Sequence, residues 1–205
     1  MQQDLTLALA VAGCNKACKL LTDRGGVPCP AMPGKDYQPG GIALFLEAPG
    51  ADEEQPLTKG AAYGAPLVGR AGKLMNTLLY RAGLTRDEVL VMNRIRCRPP
   101  RNRIVDYPDA VLACDDWVQR ELATYAPSVV VLCGKVAGET VFGANIGVGA
   151  TRGTIRHTQP PNPYGDRDWI MTYHPSAALR HGGAGSNVAE LIVTDLMEAK
   201  RLLNA

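Results

Sequence analysis

The sequence predicts an α/β fold, a single three-layer α/β/α domain over residues 1–205 with a central four-stranded parallel sheet. Three observations predict it. Four short apolar runs, at residues 42–46, 89–92, 129–132 and 169–173, are strand-length and end in turn residues. Segments with helical spacing of apolar residues lie between and after them, and strands alternating with helices form parallel sheets. At 205 residues and 46% hydrophobic content, the chain has the size and composition of one domain with its own core.

Taken in order, Leu5, Leu9 (or Ala8) and Ala12 fit one face of a short helix. The same run ends in Val11-Ala12-Gly13-Cys14, which resembles a lipoprotein cleavage box. No Lys or Arg precedes the run, however, and Asp4 stands where an export signal carries positive charge, so a cytoplasmic chain is expected. Residues 25–41, rich in Gly and Pro, read as a loop. Ile42-Ala43-Leu44-Phe45-Leu46 reads as a buried strand, stopped by the turn Glu47-Ala48-Pro49-Gly50. Residues 52–64 are polar and loop-like. Leu74, Leu78 and Leu79 place a helix over 71–82, closed by Gly83. Val89–Met92 is a second strand, ending at Asn93. Val111, Cys114, Trp117, Val118 and Leu122 predict one helix over 107–125, with Pro127 beyond it. Val129–Leu132 is the third strand, and a helix over 135–142 follows Gly134. Trp169–Tyr173 is the fourth strand, ending at His174-Pro175, and an amphipathic helix over 188–203 closes the chain.

Composition excludes several function classes. The formal net charge is +2, so any basic binding surface must come from local clustering. With 5% aromatic residues and only Phe45 and Phe142 as phenylalanines, a wide aromatic platform for nucleic acid is excluded. No apolar run approaches the ~20 residues that span a bilayer, so no membrane partner is expected. Six cysteines permit three disulfides in an oxidising compartment. In a cytosolic chain they point to metal or redox chemistry instead.

In parallel sheets, sites form beyond the carboxyl ends of the strands. Glu47, Asn93 and His174 each stand where a predicted strand runs out, so the three are expected to meet in one crevice. Arg94, Arg96, Arg98, Arg101 and Arg103 form a local basic patch without interleaved acids, suited to phosphate contacts.

The string Asn93-Arg94-Ile95-Arg96-Cys97-Arg98-Pro99-Pro100-Arg101-Asn102-Arg103 resembles the asparagine-to-cysteine segment of the iron–sulfur uracil-DNA glycosylases, the family 4 and 5 branch of that superfamily. Glu47-Ala48-Pro49-Gly50 looks like its first active-site motif. Gly64-Ala65-Pro66-Leu67-Val68-Gly69-Arg70-Ala71-Gly72 looks like its Pro-Phe-Val-Gly segment, and His174-Pro175-Ser176-Ala177-Ala178-Leu179-Arg180 its final motif. The motifs fall in the family's order over most of the chain.

The resemblance implies a 4Fe–4S cluster held by Cys14, Cys18, Cys97 and Cys114. Four thiolates also suit tetrahedral zinc. Three residues separate Cys14 from Cys18 where the family usually has two, which leaves Cys29 open as an alternative ligand. Cys133 reads as a core residue. The implied activity is hydrolysis of the N-glycosidic bond of uracil or a modified pyrimidine in DNA, by a monofunctional glycosylase acting as a monomer. The base is flipped out of the duplex and leaves as an anion. His174 then donates to the base oxygen, Asn93 reads the pyrimidine edge, and Glu47 orients or activates water. The backbone after Ala48 and Gly50 donates to the base carbonyls, and Leu67 lies against the base. Leu179 fills the gap in the duplex, with Arg180 beside it on DNA.

Departures from the family bear on the substrate. Leu67 stands for the phenylalanine that stacks on uracil, Leu46 for a glycine, and the 53–64 loop is longer than usual. Gly50 presents no side chain to a 5-substituent. Together these predict room for a pyrimidine bearing a bulky 5-group. The alternative from another class is a non-catalytic iron–sulfur module that binds DNA or senses lesions. The superfamily members that cross-link to uracil carry a histidine after the second strand. Here the only histidines are His157, His174 and His181. An unrelated nucleotide-binding enzyme would need a Gly-rich phosphate loop after the first strand, and none is present.

Overall fold

The computed structural model describes residues 2–204; Met1 and Ala205, the two ends of the expected domain, lie outside the described residues. In chain order the elements are α1 (Gln2–Ala12), α2 (Leu20–Asp23), β1 (Met32–Pro33), β2 (Ile42–Leu46), α3 (Arg70–Arg81), β3 (Val89–Asn93), α4 (Pro108–Ala113) and α5 (Asp115–Tyr125). Then come β4 (Val129–Cys133), α6 (Lys135–Phe142), α7 (Val148–Thr151), β5 (Ile155–Thr158), β6 (Arg167–Thr172), α8 (Pro175–Arg180) and α9 (Asn187–Leu203).

The fold is α/β, but the sheet has six strands rather than the expected four, in the order β1-β3-β2-β4-β6-β5. The inner strands β3, β2, β4 and β6 pair in parallel. The two additional strands, β1 and β5, pair antiparallel on the outer edges. Neither carries an apolar run: β1 is two residues inside the Gly/Pro-rich loop, and Ile155, Arg156 and His157 of β5 are exposed.

Successive side chains of a strand point to opposite faces, and both faces of the inner strands are covered. Ile42, Leu44 and Leu46 pack with Leu74, Leu78 and Leu79 of α3 and with Ile192 and Leu196 of α9. Ala43 and Phe45 pack on the other side with Val118 and Leu122 of α5 and Ala137 of α6. This two-sided burial is why each inner strand reads as a continuous apolar run. A third cluster joins Val11, Leu20, Ile95, Tyr107, Ala110 and Trp117 around Cys97 and Cys114, away from the sheet faces. The expected single helix over 107–125 is two helices, α4 and α5, which meet at Cys114. No helix among the described residues is long and apolar enough to cross a membrane.

The N-terminus of α9 is capped by Ser186, whose Oγ accepts from the Ala189 N–H at 3.1 Å. Further along α9, Asp195 is 1% exposed. It accepts from Arg152 Nη2 at 2.5 Å and from Thr172 Oγ1 at 2.7 Å, tying the end of β6 and the segment after α7 to the closing helix. Removing one partner of a buried ion pair costs about 3–5 kcal/mol. Arg152 keeps some solvent contact, so Asp195→Ala is expected to lower stability by about 3 kcal/mol, near the lower end of that range. Urea unfolding checks this, and a loss below about 1 kcal/mol would show that the network does not brace α9.

Candidate active site and cysteine centre

Where the parallel strands end, the loops after β2, β4 and β6 diverge and leave a crevice. A cavity of about 850 Å³ opens there. Its walls are residues 46–53 at and after the end of β2, Leu67 and 69–71 at the start of α3, Pro99 and Asn102 after β3, Gly134 and Lys135 after β4, Val148 of α7, and Tyr173, His174, Ser176, Ala177, Leu179 and Arg180 around the start of α8.

Glu47 and His174 therefore share one cavity, as their strand-end positions predict. The Glu47 carboxylate is partly buried and has no hydrogen bond or ion pair among the described residues. Burial alone holds its pKa above the ordinary carboxylate value. His174 is the N-cap of α8, with Pro175 in the first helical position. Its Nδ1 accepts from the Ser176 N–H at 3.2 Å and lies 2.8 Å from Ser176 Oγ. A backbone N–H can only donate, so Nδ1 carries no proton and the neutral ring bears its proton on Nε2. Burial and the Arg180 charge pull the His174 pKa down to about 4, which keeps the ring neutral at ordinary pH. The site thus pairs a neutral N–H donor with a carboxylate of raised basicity.

Asn93 does not line the cavity. It is 1% exposed at the end of β3, in register with Leu46, and its Nδ2 has no partner among the described residues. A buried unpaired amide costs about 1–3 kcal/mol, so it calls for an explanation in function. The turn after β2 is fixed by its neighbour: the Arg94 N–H donates to Leu46 O at 2.8 Å and the Ile95 N–H to Glu47 O at 3.2 Å.

One of the two expected backbone donors needs correcting: the residue after Ala48 is Pro49, which has no N–H, whereas the residue after Gly50 is Ala51, and the Gly50 N–H itself donates to Glu53 Oε2 at 3.2 Å. The amides of Ala48 and Ala51 have no partner among the described residues. Glu53 was not found by sequence reasoning. It is 8% exposed, also accepts from the Leu67 N–H, and so pins two walls of the cavity to each other. Leu67 itself sits at φ 59°, in the left-handed region, with its carbonyl against α3. A Cβ on Gly72 would lie 1.7 Å from that carbonyl, so only glycine allows this approach.

The arginine patch is largely not a surface. Arg94 and Arg96 are buried, Arg94 paired with Asp115 at 2.8 Å and Arg96 with Glu121. Arg98 is partly buried and pairs with Glu54 at 2.6 Å. Arg101 and Arg103 are exposed, and Arg103 pairs with Asp106 at 2.8 Å. No acid stands within residues 93–103, and most of the patch's partners come from distant parts of the chain. The cations on the cavity rim are Arg70, Lys135 and Arg180. Arg70 and Lys135 were missed, though each directly follows the glycine that caps the start of its helix. Leu179 is partly buried and also lines the cavity.

A second cavity is lined by Cys14, Cys18, Cys97 and Cys114, with Val11, Leu20, Ala110 and Trp117 as apolar wall. Three sulfurs meet N–H donors. Trp117 Nε1 lies 3.4 Å from Cys14 Sγ, Arg24 Nη1 lies 3.4 Å from Cys97 Sγ, and the Arg96 backbone N–H donates to Cys114 Sγ. Burial pushes the Cys97 thiol up to about 11 and raises that of Cys114. All six cysteines are free thiols. Cys29 and Cys133 are fully buried and lie outside this lining. No three His, Cys, Asp or Glu side chains among the described residues gather closely enough to hold one metal ion.

The family model of the Uracil DNA glycosylase superfamily matches residues 42–196. A Type-4 uracil-DNA glycosylase of Sulfurisphaera tokodaii is 31% identical over 196 residues, covering 94% of this chain and 81% of that protein. Another, from Saccharolobus solfataricus, is 34% identical over 179 residues, covering 84% and 76%. A third, from Archaeoglobus fulgidus, is 37% identical over 111 residues, covering 54% and 52%.

Proposed function

The chain belongs to the uracil DNA glycosylase superfamily, and from that premise we propose that it hydrolyses the N-glycosidic bond of uracil in DNA and leaves an abasic site. The observation that carries this reading is the pairing of Glu47 with a neutral, Nε2-protonated His174 in one strand-end cavity. The deoxyribose–uracil bond breaks to an oxocarbenium-like sugar and a uracil anion. His174 Nε2–H donates to the anion's oxygen as charge develops there. The unpartnered amides of Ala48 and Ala51 supply further polar contacts to the base, and the Asn93 carboxamide, unpartnered and buried beside Leu46 of the cavity wall, meets the base edge when that wall yields to the flipped base. Glu47 holds a water on the opposite face of the sugar. The water's oxygen ends on C1′ and the departing base takes a proton. Leu179 fills the place of the flipped base, and Arg70, Arg101, Arg103, Lys135 and Arg180 meet phosphates.

Cys14, Cys18, Cys97 and Cys114 are our assigned ligands of a 4Fe–4S cluster. Four thiols on one cavity with N–H donors at three sulfurs support this, since such donors stabilise cluster thiolates. Four thiolates also suit tetrahedral zinc, and metal analysis of the purified protein separates the two. When bound, the cluster supplies a covalent cross-link between the segment after α1, the loop after β3 and the α4–α5 junction. Free thiols and a DNA substrate both suit a reducing, DNA-containing compartment, so we assign the protein to the cytoplasm; that it works as a single-domain monomer is a separate proposal, checked by its molar mass in solution.

The test is release of uracil from a labelled oligonucleotide, read as alkali-sensitive strand breaks. No breaks above background would sink the enzyme reading in favour of a binding module. One observation favours a broader substrate range: the 850 Å³ cavity is walled by aliphatic Leu67 and by Gly50. Oligonucleotides carrying 5-substituted uracils belong in the same assay, and exclusive action on uracil removes that second reading.

Glu47 also sets an expected pH dependence. The carboxylate must be ionised to hold water as a base, and burial raises its pKa. Activity should therefore fall on acidification with a midpoint above the usual 4.5. His174 titrates lower, at about 4, and stays neutral through this range. Glu47→Gln should lower kcat about 10²-fold and flatten the acid limb. An unchanged limb in that variant would assign it to another group.

A further inference from the structure

Arg96 lines the cysteine cavity and reaches from it to the end of β3. Its backbone N–H donates to Cys114 Sγ, and its carbonyl accepts from the Cys29 N–H at 2.7 Å. Its guanidinium Nη1 donates to the carbonyl of Asn93, three residues earlier. Nε donates to Glu121 Oε1 at 2.9 Å, and Nη2 to Glu121 Oε2. Glu121, fully buried on α5, accepts from the Ala31 N–H at 2.9 Å as well. The guanidinium is thus held by a two-pronged carboxylate on one side while it holds the Asn93 backbone on the other.

A buried ion pair is no more stabilising than an apolar filling of the same volume, so its effect lies in what it fixes. What it fixes is the last residue of β3. The Asn93 amide nitrogen has no partner of its own, so its aim depends on the backbone that Arg96 grips.

We propose that Arg96, clamped by Glu121 and anchored at Cys114, is a positioning residue that sets Asn93 for reading the base. The proposal rests on the reading of Asn93 given above. Lysine keeps the charge of Arg96 but lacks the planar fork, so one ammonium cannot hold both Glu121 oxygens and the Asn93 carbonyl.

The experiment is a double-mutant cycle of Arg96→Lys and Asn93→Ala, following uracil release, preference for uracil over cytosine, and iron per chain. Arg96→Lys should lower kcat and the uracil preference about 10–100-fold, with iron per chain unchanged. In the Asn93→Ala background it should add less than about two-fold. Wild-type preference in Arg96→Lys, or losses that multiply in the double variant, would overturn the proposal. An inactive wild-type chain would instead overturn the functional reading, and the proposal with it. If Arg96→Lys melts at the assay temperature, Glu121→Gln takes its place in the cycle. That variant leaves the guanidinium and removes one oxygen of its clamp, and the same two outcomes decide.

Discussion

Replacing His174 with alanine is expected to slow uracil release about 10²–10³-fold. Its ring is held in one tautomer, with the proton on Nε2, because the Ser176 N–H occupies Nδ1. The donor is preset rather than recruited, so little reorganisation accompanies charge development on the base. DNA affinity should change by less than about three-fold, since phosphate contacts dominate it and Arg180 remains in place. Single-turnover rates and binding to an uncleavable duplex separate the two quantities. Equal losses in rate and binding would move His174 from charge stabilisation to DNA contact. His174→Gln keeps an N–H donor and should recover part of the rate.

Cys97→Ser is expected to have the largest effect on the fold. Cys97 is buried, meets Arg24, and belongs to the third apolar cluster, which together with the Lys16–Asp116 ion pair holds the segment around the end of α1 against α5. Loss of the proposed cluster's cross-link should remove the visible colour, lower iron per chain and expose the first 24 residues to protease. A loss of about 5 kcal/mol would lower Tm by roughly 10–20 °C for a domain of this size. Cys29→Ser is the control. It buries a hydroxyl in a fully enclosed place, so it should lose some stability yet keep its iron. Loss of iron in Cys29→Ser with retention in Cys97→Ser would exchange their assignments.

The sequence made some of this legible for physical reasons that can be named. Ile42–Leu46 and Val129–Cys133 are buried on both faces, so an unbroken apolar run marks them. β5 is exposed at three of its four positions, and its pattern is that of a loop. The helix over 107–125 keeps its apolar spacing across Cys114, so periodicity could not show that it turns there. Glu47 and His174 were legible because strand ends and site coincide in a parallel sheet. Glu53 was not, because its partners are backbone amides, which every residue carries. Arg94 and Arg96 were misread because Asp115 and Glu121 lie far along the chain, and only the fold brings them close.

The sheet's two outer strands bear on self-association. An open strand edge is a template for another copy of the chain. On one side, β1 is two residues long and ends in Pro33, which has no N–H to offer. On the other, Arg156 and His157 stand exposed on β5, charged or polar groups that a docking strand would have to desolvate. Both borders thus resist polymerisation through backbone pairing, so any contact between copies of the chain would have to be made by side chains.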